Sequence, residues 1–363
     1  MNMRRRVAGL AGALAGVAVA GTAAEVARRR RVIARRGAGD RAPLGSLRAV
    51  ARTVVADDGL PLHVEVDEAD AHDPADPTGP AHQPLTVLFV HGYALNLDTW
   101  HFQRAGYRGL VRTVFYDQRS HGRSGRSSLE HATIDQLGRD LARVLEAEVP
   151  DGPVVLVGHS MGGMTIIALA EQHPELFGDR VVGVGLVSTT AGGLDVGRLL
   201  LPVVPAKLAG PFLGRAVGRA MVPLARGHRL IDLARRLGGS VALVATDLFA
   251  FGGEVPESYV RHVDQMLART PFEVVAEFFP SFESLDKFHV VEGLSRVPVS
   301  IICGTADRVT SIGHSRKLHA HIEGSRLVEV EGAGHMVVME CHDQVNAELD
   351  QLIAAATERA EQR

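Results

Sequence analysis

Six residues, Gly158-His159-Ser160-Met161-Gly162-Gly163, follow directly on the apolar run Pro153-Val154-Val155-Leu156-Val157 and lead into a helix-compatible stretch, Met161 to His173, rich in Ala, Leu and Ile. That order of apolar strand, glycine-flanked serine and helix leaves the backbone little choice. A chain turns so sharply only where the residues two before and two after the apex are small, because side chains there collide across the bend. Gly158 and Gly162 meet that need. The apical serine then projects from the turn, which is the geometry of a nucleophile elbow.

A serine hydroxyl is a weak nucleophile at neutral pH, so the turn predicts a base elsewhere and a group to orient it. Pro298-Val299-Ser300-Ile301-Ile302-Cys303-Gly304 reads as a buried strand running into Thr305-Ala306-Asp307-Arg308, which sets Asp307 at a strand's carboxyl end. Leu327-Val328-Glu329-Val330 alternates like a strand and runs into Gly332-Ala333-Gly334-His335. The chain order is therefore Ser160, Asp307, His335, with Asp195 after the preceding strand as the alternative acid.

On these residues the chain resembles an α/β-hydrolase fold enzyme of the Ser-His-Asp esterase and lipase type, over most of residues 50 to 358. Serine, acid, histidine is that family's order and differs from two other serine-triad orders. Two more stretches carry the likeness. Leu88-Phe89-Val90-His91-Gly92-Tyr93 is similar to the strand and turn that supply an oxyanion-hole amide, which implies Tyr93 as one donor and Met161 as the other. Val114 to Gly125 resembles the strand-to-loop segment before the elbow, with its charged residues, and His91 and His121, implied to be structural.

The resemblance implies a hydrolase of carboxylic esters working through an acyl-enzyme on Ser160, with a small-molecule or lipid-like substrate and no metal or organic cofactor. It leaves open a cofactor-free perhydrolase or haloperoxidase-like activity, carbon-carbon bond hydrolysis, and a non-catalytic ligand-binding protein on the same fold. Haloalkane dehalogenases and epoxide hydrolases of the family use an aspartate where Ser160 stands, so both are excluded. The epoxide reading also wants two cap tyrosines, and Tyr259 alone lies there.

From Thr53 onward the pattern is regular. Thr53-Val54-Val55-Ala56 and Leu62-His63-Val64-Glu65-Val66 read as antiparallel strands joined at Asp57-Asp58-Gly59. Strands near 86–91, 112–117, 153–158, 181–188, 298–304 and 325–330 then alternate with helical patterns, predicting an α/β fold with a mostly parallel, doubly wound, eight-stranded sheet. About a hundred residues separate Ser188 from Pro298, far more than a crossover helix needs. They predict a helical cap at 193–292 inserted into a core of 48–192 and 293–363. The cap's apolar stretches include Leu199-Leu200-Leu201, Phe212-Leu213 and Met221-Val222, and Phe278, Phe279 and Phe282 are candidates for a substrate-pocket wall. Trp100 is expected to anchor the first crossover helix, and Glu340 to cap or solvate the start of the last one.

Residues 1–47 stand apart as an arginine-flanked apolar segment and linker. Val7 to Ala24 carry no charge and would span about 27 Å as a helix, just short of a bilayer core. More arginines follow the segment (Arg28 to Arg31, Arg35, Arg36) than precede it, which for an inserted anchor would keep the catalytic domain cytoplasmic. A signal cleaved near Ala18-Val19-Ala20 and an uninserted segment, leaving the protein secreted or cytoplasmic, are the alternatives. The net charge is −3 with both signs dispersed, which argues against a nucleic-acid partner. The two cysteines, Cys303 and Cys341, form neither a disulfide framework nor a zinc site.

Overall fold

The computed structural model describes residues 25–37, 43–70, 85–194 and 242–362. The β-branched and apolar runs form eight strands: β1 (Ala51–Val55), β2 (Pro61–Asp67), β3 (Thr86–Val90), β4 (Arg112–Tyr116), β5 (Val154–His159), β6 (Val181–Val187), β7 (Val299–Gly304) and β8 (Arg326–Val330). They make one sheet in the order β1-β2-β4-β3-β5-β6-β7-β8. Strand β2 runs antiparallel to both its neighbours and every other pairing is parallel. The expected eight-stranded, mostly parallel sheet is thus the one present.

Burial explains why the central strands read as continuous apolar runs: every residue of β3, β5 and β6 is buried, as a sheet covered on both faces requires. Alternate side chains serve opposite layers. Leu88, Val90, Val154 and Leu156 pack with Leu141, Leu145, Ile166 and Ile167 from helices Ile134–Glu148 and Met161–Gln172. Val87, Phe89, Val155 and Val157 pack on the other face with Trp100, Leu349 and Leu352. Trp100 is fully buried, with its ring 5.0 Å from that of Phe89, just ahead of helix His101–Tyr107.

Strand order decides where a site can form. From β3 the chain steps first to β4 on one side and later to β5 on the other, so a crevice opens at the carboxyl ends of β3 and β5, the topological switch point. Gly92-Tyr93 follows one of these ends and Ser160 the other.

Between β6 and β7 the described residues include a helix at 242–250 and helices Glu257–Arg269 and Phe272–Glu283. Asp195 and the apolar stretches at 199–201, 212–213 and 221–222 lie outside the described residues, as does the segment 7–24. Among the described residues no helix is long and apolar enough to cross a membrane. The stretch after 7–24 is bonded into the fold. Residues 25–34 are helical, Ile33 is fully buried, and Arg36 pairs with Asp247 at 2.5 Å. Within the segment read as a linker, the Gly45 amide donates to His101 Nδ1 at 3.2 Å.

Candidate active site

Ser160 sits at φ 53°, ψ −118°, a left-handed conformation that costs a non-glycine residue about 1–3 kcal/mol. Its neighbours show why the turn tolerates no bulk. A Cβ on Gly158 would lie 2.5 Å from the Gly162 carbonyl carbon, and one on Gly162 only 2.0 Å from the Val90 carbonyl oxygen at the end of β3. The elbow is therefore wedged against β3. It is also tied to the next strand, since Ser160 N donates to Val187 O at 2.9 Å and Thr189 Oγ1 donates to Ser160 O at 2.6 Å.

Asp307 and His335, 28 residues apart in sequence, meet at this apex. His335 Nε2 lies 3.0 Å from Ser160 Oγ, and His335 Nδ1 lies 2.9 Å from Asp307 Oδ2. The other carboxylate oxygen, Oδ1, accepts from the amides of Val309 (2.8 Å) and Thr310 (2.9 Å). Thr310 Oγ1 lies 3.0 Å from Asp307 Oδ2 and donates to Ser188 O at 2.7 Å. Burial by itself would raise the Asp307 pKa, but the charge and hydrogen bond of His335 and the bonds from Val309 and Thr310 hold it below the usual carboxylate value. All three side chains are nearly buried, in the order expected for nucleophile, base and orienting acid.

The two implied oxyanion donors flank the serine. Gly92, just before Tyr93, packs so closely that a Cβ there would lie 3.2 Å from Ser160 Cβ. Met161 is the first residue of helix Met161–Gln172, where an amide has no intrahelical acceptor. Among the described residues neither the Tyr93 nor the Met161 amide has an acceptor.

Phe278, Phe279 and Phe282 are brought together by helix Phe272–Glu283 around the Tyr93 ring, with centroid distances of 6.3, 6.3 and 4.9 Å. The Tyr93 hydroxyl donates to Val275 O on the same helix. Phe278 and Phe282 share one apolar cluster with Met161 and Met164, so these rings adjoin the residue after the serine.

The other buried histidines hold structure. His91 Nε2 accepts from Gln118 N at 2.9 Å, which leaves Nδ1–H to donate to Gly92 O at 2.7 Å. His121 Nδ1 donates to Arg119 O at 2.8 Å. His159, next to the serine, donates from Nε2 to His335 O at 2.9 Å. Burial, aided for His91 by His121 and for His159 by His335, lowers both pKa values to about 3, and burial lowers His121 to about 4. Asp117 accepts from the amides of Leu97 and Arg123, both at 2.8 Å, and Arg119 is buried against Asp140 at 2.6 Å, so the charged loop before the elbow is structural. Burial pushes the Cys303 thiol up to about 12, which leaves it protonated and inert.

Two residues hold positions the sequence did not reveal. Thr310 supports the acid from three residues away, a spacing typical of side-chain turns but common to many loops. Glu340 does not cap the C-terminal helix: its carboxylate accepts from the amides of Gly252, Gly253 and Gly334 at 3.0, 2.7 and 2.7 Å. Two of those donors lie nearly ninety residues upstream, beyond the reach of a local rule. Among the described residues no cluster of three His, Cys, Asp or Glu side chains is arranged to hold a metal ion.

A sequence model of the Alpha/beta hydrolase family matches residues 87–348. An uncharacterized protein of Mycobacterium tuberculosis is 29% identical over 275 residues, covering 71% of this chain and 70% of its own. The 3-oxoadipate enol-lactonase 2 of Acinetobacter baylyi is 27% identical over 265 residues, covering 72% of this chain and 85% of its own. The crystal structure of an enol-lactonase from Burkholderia xenovorans shares the fold with a TM-score of 0.63 at 22% identity, covering 84% of this chain and all of that one.

Proposed function

Because this chain belongs to the alpha/beta hydrolase family, we propose that it is a serine hydrolase of carboxylic esters. The observation that carries this reading is the continuous relay from Ser160 Oγ through His335 to Asp307, with bonds of 3.0 and 2.9 Å. As Ser160 Oγ bonds to the ester carbonyl carbon, its proton passes to His335 Nε2. Asp307 holds Nδ1–H and stabilises the imidazolium. The carbonyl π pair moves onto oxygen, and the amides of Tyr93 and Met161 receive that charge. Collapse breaks the bond to the alcohol oxygen, which takes the proton from His335. Water then attacks the acyl-enzyme with His335 as base, releasing the acid and restoring Ser160.

The aromatic wall of Phe278, Phe279 and Phe282 supports an ester with a hydrophobic acyl or alcohol part, held beneath a cap formed by 193–292. The enol-lactonase relative, named for a cyclic ester, supports the ester class. The test is hydrolysis of a p-nitrophenyl ester series from acetate to palmitate by the full chain and by Ser160→Ala. Turnover that peaks at medium or long acyl chains and disappears in the variant is expected. Negligible turnover of every ester, or peroxide-dependent halogenation without ester hydrolysis, would overturn the reading.

A further inference from the structure

We propose that Glu340 is a positioning residue for His335, clamping the histidine's loop to the turn at residues 250–253 that precedes helix Glu257–Arg269. The proposal rests on the reading of His335 as the base. One carboxylate gathers three backbone donors from two segments: Oε2 accepts from Gly334 and Gly252, and Oε1 from Gly253. Hydrogen bonds to an ionised acceptor are roughly twice as strong as neutral ones. Among the described residues Glu340 makes no ion pair, so these amides account for its bonding.

The two segments touch with no side chain between them. A Cβ on Gly252 would lie 2.1 Å from Gly332 O, and one on Gly334 would lie 2.3 Å from Gly252 N. The histidine is then held on both sides along the chain. Gly334 N donates to Glu340, and Met336 N donates to Ala250 O at 2.7 Å. The His335 carbonyl oxygen is occupied by His159 Nε2. On the acid's side, Ala306 N donates to Ala333 O at 2.9 Å. The amides on either side of His335 and its own carbonyl therefore end on Glu340, on Ala250 and on the elbow. Moving the 250–253 turn moves the imidazole relative to Ser160, which couples the segment between β6 and β7 to the chemistry.

The test measures the rate of fluorophosphonate labelling, and the downfield proton resonance of the Nδ1–H shared by His335 and Asp307, in the full chain, Glu340→Gln and Glu340→Ala. Glutamine keeps a carbonyl oxygen for Gly334 and Gly252, and is expected to label within about threefold of the parent chain and to keep the resonance. Alanine is expected to lose about a hundredfold in labelling rate, the effect of misplacing a reacting group by about 1 Å. It should broaden or lose the resonance, and on esters lower kcat while changing KM less than about threefold. Alanine labelling at the parent rate, or a slow alanine variant that keeps the resonance, would overturn the proposal. If Glu340→Ala does not fold, Glu340→Asp replaces it, since its carboxylate is set back by one methylene. At least about a tenfold loss is then expected, and the parent rate overturns the proposal. A parent chain that does not label refutes the hydrolase reading itself, while the resonance still reports whether Glu340 holds His335.

Discussion

The serine's turn and the histidine's loop end 3.0 Å apart, yet hard contact dominates in one and hydrogen bonding reaches farther along the chain in the other. The elbow is made by exclusion. Gly158 and Gly162 leave no volume for a side chain, and the strained Ser160 backbone is trapped against β3 by hard contacts. The loop at 332–336 is held by connection, through Asp307 on the imidazole, His159 on the His335 carbonyl and Glu340 across to residues 250–253. Contact exclusion is all-or-none, and the glycines that permit it are spaced locally even where the atom they meet, such as Val90 O, is distant in sequence. Hydrogen-bond connection is spread over the chain and graded, so the loop is where geometry can be tuned without unfolding the site.

Ser160→Ala tests the elbow's chemistry and carries the largest expected effect, a loss of about 10⁶ in kcat with the fold intact, as when a serine-triad nucleophile is removed. Asp307→Asn reaches the same bond from the loop's side. By favouring the wrong imidazole tautomer it should cost about 10⁴ in kcat, measured with the same ester and with KM little changed. A smaller loss for Asp307→Asn than for Glu340→Ala would contradict the imidazole's dependence on the acid.

Gly162→Ala tests exclusion directly. A Cβ 2.0 Å from the Val90 carbonyl forces the backbone apart, and denaturant titration should show a loss of at least about 3 kcal/mol or no folded protein. A stable, active Gly162→Ala chain would contradict the wedge.

The pH dependence of stability reports whether the buried histidines are neutral in the folded chain. His91, His159 and His121 have folded pKa values lowered to about 3, 3 and 4, so below about 6.5 the unfolded chain takes up protons that the native chain refuses. Stability then falls as pH drops. Asp117, pushed up to about 6 by burial, acts in the opposite direction between about 4 and 6 and offsets one of the three. Net loss should approach roughly 2–3 kcal/mol per pH unit in that window by denaturant titration. Below about pH 4 the lowered Asp307 pKa adds a further loss of the same sign. Stability that stayed flat from pH 6.5 to 4 would contradict the neutral, buried histidines.

Thr310→Val should have the smallest effect. It removes the hydroxyl that donates to Ser188 O and so anchors the acid's turn, while leaving both amides on Oδ1, so kcat should fall by about tenfold, near the value of one hydrogen bond.

The same contrast explains what was legible in the sequence. The elbow and the sheet depend on residues adjacent in the chain, and period and glycine spacing report them directly, whereas the Gly92-Tyr93 turn is marked only by family resemblance. Asp307 and His335 were legible because each follows a strand end, so sheet order fixes their neighbourhood. Glu340 was not, because its meaning lies in amides at 252 and 253 that no helix-capping rule connects to it. The docking of Arg36 on Asp247 was hidden for the same reason, being a pair 211 residues apart. Position near the return of the inserted segment to the core marks Phe278, Phe279 and Phe282, but their gathering around Tyr93 depends on how helix Phe272–Glu283 packs over β3's turn.

The central claim is that Ser160 is the nucleophile activated by His335. Fluorophosphonate treatment of the full chain, followed by peptide mass mapping, tests it most directly. One phosphonyl adduct is expected on the peptide containing Ser160, absent from Ser160→Ala and strongly slowed in His335→Ala. A folded parent chain that carries no adduct, or one that is labelled equally after Ser160→Ala, would contradict it.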